Sequence, residues 1–63
     1  MNREDLRLWR QKWGVTQAEL AKMLGTYAVT VCRWETGVRG IPFLLPLALS
    51  ALEYQLSDAE KEG

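Results

Sequence analysis

Sixty-three residues allow one small domain, close to the lower size at which a single apolar core folds unaided. The composition is globular, 48% hydrophobic and 25% charged; the absence of His excludes imidazole chemistry, and one Cys excludes an internal disulfide and a cysteine-rich zinc site. Eight basic and eight acidic side chains cancel, yet residues 1–40 hold seven Lys/Arg against four acids and residues 41–63 one Lys against four, so the front is positive and the back negative.

The chain opens on "MNREDLRLWRQK", charged and without the apolar stretch of a secretory signal. Leu6, Trp9 and Trp13 recur at helical spacing and predict a first helix over about 3–12, with Leu8 on the opposite, exposed side. Arg10 falls inside that apolar stripe, where an unpaired charge would be costly. Gly14 supplies the stop.

Thr16 followed three residues later by Glu19 is a capping box and opens a second helix over 17–24. Leu20, Ala21 and Leu24 form its inward stripe, and Gly25 suits the left-handed residue that ends it.

The next stretch, "TYAVTV", alternates like a strand. No other segment alternates, and an orphan strand leaves its backbone groups unpaired. As a helix over 28–35 the segment places Tyr27, Val31 and Trp34 on one face. The β-branched residues then cost only about a few tenths of a kcal/mol each, less than burial of Val31 and Trp34 returns. The helical reading is the stronger one.

Pro46 is tolerable only in a first helical turn, so "FLLPLALSALEYQL" predicts a last helix over about 44–55. Its inward stripe is expected at Leu44, Leu45, Ala48 and Leu52. The polar residues 57–63 form an acidic tail expected to fray despite a weak capping signal at Ser57. The uncharged run from Gly40 to Leu52 is shorter than the ~20 residues a membrane helix needs. The expectation is an all-α bundle of four helices: one domain over 1–56, cytoplasmic and not inserted in a membrane.

Two short helices joined by a turn holding Gly25, with small Ala21 where they approach, form a helix-turn-helix arrangement. On "TQAELAKMLG", "RWETG" and the proline-led last helix, residues 6–52 resemble the lambda-repressor-like (Cro and XRE-type) helix-turn-helix family. The resemblance implies a DNA-binding transcriptional regulator whose third helix lies in the major groove of double-stranded DNA. With Val31 and Trp34 inward, Ala28, Val29, Cys32, Arg33 and Thr36 share the outward face.

Arg33 can pair bidentately with guanine O6 and N7, and Ala28 and Val29 can pack on thymine methyl groups, with Cys32 beside them as a further base contact. Gln17 is similar to the family's phosphate-clamping glutamine, and Thr16, Thr36 and Arg39 are candidate phosphate contacts, Arg39 alternatively reaching the minor groove. The family often has a polar pair at Ala28 and Val29 and a Ser at Tyr27. Here the third helix has a weaker N-cap, and Tyr27 is either a phosphate contact or part of the core.

The family commonly pairs an Arg and a Glu at the positions of Arg10 and Glu35. That implies a structural salt bridge, with a minor role in orienting Arg10 toward phosphate. The last helix has a surplus apolar patch: Leu47, Ala51 and Tyr54, joined by Phe43. It suggests a homodimer on a palindromic operator, against the alternative of a monomer whose Trp9 and Trp13 cover these residues. The rival function is a protein-interaction module, such as an antitoxin-like subunit using the same apolar helix. Without His, a metal cluster or paired carboxylates, an enzyme is not expected; nor is a cofactor or small-molecule ligand.

Overall fold

A computed structural model describes residues 1–62 of the chain, with side chains through Ser57. It is all-helical, with α1 over Arg3–Trp13, α2 over Gln17–Leu24, α3 over Ala28–Thr36 and α4 over Leu45–Glu62.

The first two helices are closed at both ends by local chemistry. Asn2 opens α1 with a capping box: the Asp5 N–H donates to Asn2 Oδ1 at 2.8 Å and the Asn2 N–H to Asp5 Oδ2 at 3.3 Å. Thr16 and Glu19 repeat the device at α2, with distances of 3.0 and 3.1 Å. Gly14 and Gly25 stop the two helices in the left-handed region (φ 64° and 75°). The N–H of the following residue then reaches back in each case, Val15 to the Arg10 carbonyl at 2.9 Å and Thr26 to the Ala21 carbonyl at 2.8 Å. These are Schellman closures, which satisfy carbonyls that a helix end otherwise leaves open.

The segment that alternates like a strand is helical. Tyr27 is its extended N-cap (φ −114°, ψ 150°) and Ala28 its first helical residue. Because Tyr27 stands outside the helix, the helical wheel does not govern it. It is 78% exposed, which removes the core reading of this side chain.

The core gathers Leu6 and Trp9 of α1, Val15 of the connection to α2, Leu20 and Ala21 of α2, Val31 and Trp34 of α3, and Leu45, Leu49 and Leu52 of α4. Val15 and Leu20 occupy the N′ and N4 positions flanking the α2 cap, the places of a hydrophobic staple. Full burial of a Leu or Val contributes about 1.5–3 kcal/mol, so Val31, buried completely, outweighs the poor helix propensity of its neighbours.

The last helix differs from expectation in phase and length. Leu44 lies in the turn before α4 and is 63% exposed. The buried stripe is Leu45, Leu49 and Leu52, with Ala48 only half-buried. The observed stripe has i, i+4, i+7 spacing and is rotated from the expected one, so that Leu49 is buried where Leu44 and Ala48 were expected. The helix also continues past Gln55 to Glu62: no Gly or Pro intervenes, and Leu56 packs against the core. Ser57 lies within this continuous helix and opens no new one. Fraying was expected over 57–63; the backbone is helical through Glu62, and Gly63 lies outside the described residues. None of the described helices is long and apolar enough to cross a membrane.

Candidate functional site

One side of α3 is anchored and the other is open. Val31 and Trp34 are in the core, while Ala28, Val29, Arg33 and Thr36 are exposed. Val29 is 54% exposed on the first helical turn of α3. Cys32 is half-buried, at the edge of this face. Tyr27 makes no side-chain cap, so the first N–H groups of α3 are left to solvent or to a partner.

The orientation of α3 is set by a fork of charge-assisted bonds. Arg10 Nε donates to Glu35 Oε2 at 2.5 Å and Arg10 NH2 to Glu35 Oε1 at 2.7 Å, a bidentate pair whose side chains are only 16% and 6% exposed. The third nitrogen, NH1, donates to the Val15 carbonyl at 3.1 Å, and the Gln17 amide donates to Glu35 Oε1 at 3.3 Å. One carboxylate of α3 thus ties α1 and the start of α2 together. The Arg10 hydrogen bond holds the Glu35 carboxyl below its ordinary range, helped by Gln17 and by the charges of Arg10 and Arg7, against the opposing effect of burial. Glu35 in turn raises the Arg10 pKa.

This accounts for the arginine in the apolar stripe. Three of the five guanidinium N–H donors are thereby engaged inside the protein, by Glu35 and by the Val15 carbonyl. Gln17 is half-buried and partly engaged by the same carboxylate, though its amide keeps a second proton.

The remaining polar candidates are at the surface. Thr16 is exposed, with its hydroxyl accepting from the Glu19 N–H. Thr36 is exposed and its hydroxyl donates to the Arg33 carbonyl at 3.4 Å. Beyond Gly37 (φ 82°), the Arg39 N–H returns to that carbonyl at 3.1 Å, which folds the loop against the end of α3. Among the described residues, neither Arg33 nor Arg39 pairs with a carboxylate. Arg3 is the residue that sequence patterning misses. Its NH1 donates to the Thr36 carbonyl at 3.3 Å, a contact spanning 33 residues that no local motif announces.

On α4 and the turn before it, Phe43 (93% exposed), Leu44, Leu47 (69%), Ala51 and Tyr54 (78%) form one apolar stripe open to solvent. Trp9 and Trp13 do not cover it. Trp9 instead donates its indole N–H to Glu53 Oε1 at 3.1 Å, and its ring sits 6.4 Å from that of Trp13. The Trp13 indole N–H is buried without a partner among the described residues, while the Lys12 ammonium stands 5.5 Å from its ring.

No protein-family model, curated protein or solved structure matches this chain.

Proposed function

We propose that the chain is a sequence-specific DNA-binding regulator of transcription, a cytoplasmic repressor that occupies a palindromic operator as a homodimer. The observation that carries this reading is α3 itself. It is a short helix clamped from behind by Val31, Trp34 and the Arg10–Glu35 fork, with a small apolar and cationic face held out to solvent. A face of that kind suits the major groove, where Ala28 and Val29 allow close approach and touch thymine methyls. Arg33 addresses guanine through two parallel N–H bonds, with Cys32 at the edge of the contact.

Around that face, this reading assigns the phosphate contacts to Thr16, Gln17, Tyr27, Thr36 and Arg39, with the minor groove as the alternative for Arg39. The open stripe of Phe43, Leu47, Ala51 and Tyr54 is the surface on which two copies join, so that paired recognition helices lie about 34 Å apart, one turn of the duplex. The reading assigns the chain no catalytic step and no cofactor.

The zero net charge and the size of the apolar stripe favour a second reading, a protein-interaction module of antitoxin type that masks a partner protein with α4. Titration of labelled genomic duplexes, followed by fluorescence anisotropy at several salt concentrations, separates the two. A regulator binds some fragments selectively and loosens steeply with salt. Arg33→Ala lowers its affinity by about tenfold to a hundredfold, with relaxed preference at a single base position. Absence of binding at low salt assigns the chain to the second reading.

A further inference from the structure

Two hollows flank Trp34 at the C-terminal end of α3. One is lined by Arg3, Gly37 and Arg39, the other by Thr30, Arg33 and Pro42; both include Trp34, Arg39 and Gly40, so they adjoin at these residues, and the pair of hollows is termed the furrow. Three arginines line it and, among the described residues, no carboxylate does. In a chain of zero net charge, that is a strong local excess of positive charge.

The furrow is also built for the guanidinium it holds. Arg3 is anchored by one nitrogen on the Thr36 carbonyl at 3.3 Å, which leaves its other donors free. Gly37 makes room for it, since a Cβ at that position would stand 2.7 Å from Arg3 NH1. Arg33 belongs both to this furrow and to the exposed face of α3, so an anion seated here lies alongside that face.

We propose that this furrow is a phosphodiester clamp, in which Arg3 of α1 and Arg39 of the following loop grip the DNA backbone beside the groove that α3 enters. The inference rests on the DNA-binding reading and adds Arg3, the residue that local sequence pattern does not reveal. Docking Arg3 across 33 residues joins the start of α1 to the end of α3, and the same phosphate contact then orients the whole domain on the duplex.

The test is the dependence of duplex affinity on salt, measured by anisotropy on the tightest genomic fragment for the parent protein and for Arg3→Gln, Arg39→Gln and Arg3→Lys. Each neutralised phosphate contributes about 0.9 to the slope of log K against log salt. Arg3→Gln and Arg39→Gln are each expected to reduce the slope by about one and to weaken binding to all sequences alike, while Arg3→Lys keeps the slope. Arg39→Gln leaves the contact between α1 and α3 untouched, so it reports on the furrow even where Arg3→Gln unfolds early. A parent that binds selectively, with unchanged slopes in both glutamine variants, overturns the clamp and leaves the DNA-binding reading standing. A parent that binds no duplex at low salt overturns both.

Discussion

Removing Glu35 tests the fork that fixes α3. In Glu35→Ala, Arg10 keeps the Val15 carbonyl but loses the acceptors of Nε and NH2 in a site where its side chain is 16% exposed. Breaking a buried pair by deleting one partner costs about 3–5 kcal/mol, whereas an exposed pair contributes about 0–1 kcal/mol. The residual solvent access of Arg10 lets it turn partly outward, which places the expected loss at about 2–3 kcal/mol. For a domain this small the whole stability is on the order of 3–9 kcal/mol. A loss of that size lowers the melting temperature by roughly 10–20 °C.

Thermal and urea unfolding followed by tryptophan fluorescence reads the change directly, with Trp34 adjacent to the substituted residue. The pair also makes stability depend on pH. Because the folded-state pKa of Glu35 is depressed, its contribution is fully present above the unfolded carboxylate pKa. It disappears as pH falls through the lower, folded-state value, so the parent loses stability into acid and Glu35→Ala has a flatter profile there. The double variant Arg10→Met with Glu35→Leu, which leaves no unpaired charge, is expected to be more stable than Glu35→Ala alone. A Glu35→Ala protein melting within about 3 °C of the parent, with a double variant no more stable than Glu35→Ala, refutes the lock.

Three further substitutions probe the remaining structure. Ala21→Leu adds bulk where α2 enters the core at 2% exposure and is expected to cost about 1–3 kcal/mol in urea unfolding; a neutral result contradicts the close approach. Gly37→Ala forces a Cβ onto a residue at φ 82°, against Arg3 NH1, and is expected to lose about 1–2 kcal/mol, whereas alanine at an ordinary helical glycine is stabilising. Leu47→Asp places a charge in the exposed stripe of α4. It should leave the melting curve of the monomer unchanged and abolish self-association in sedimentation equilibrium; a parent monomeric at all concentrations removes the dimer from the account.

What could be read in advance was what local chemistry decides. Thr16 with Glu19 and the glycines at 14 and 25 place α2 within a residue, because caps act over one turn and are specific. The Asn2–Asp5 box does the same for α1, although in the sequence it passes for part of a charged run. The phase of α4 was illegible for the opposite reason. Nearly every residue from Phe43 to Leu52 is apolar, so several rotations of the helix bury a leucine stripe, and only packing selects Leu45, Leu49 and Leu52.

Tyr27 was ambiguous because its place on a helical wheel has meaning only if it belongs to the helix, and it is the N-cap. The Arg10–Glu35 pair came from family resemblance together with a charge stranded among apolar neighbours. The contacts of Trp9 with Glu53 and Arg3 with Thr36 join distant residues and leave no local pattern behind.

Whether the open face of α3 reads DNA is decided by selection of the purified protein on a pool of randomised duplexes. The expected result is enrichment of an inverted repeat whose half-sites lie about one helical turn apart, with a guanine whose preference disappears in Arg33→Ala. A pool that remains random after repeated rounds at low salt, or an enriched site that Arg33→Ala selects equally well, contradicts it.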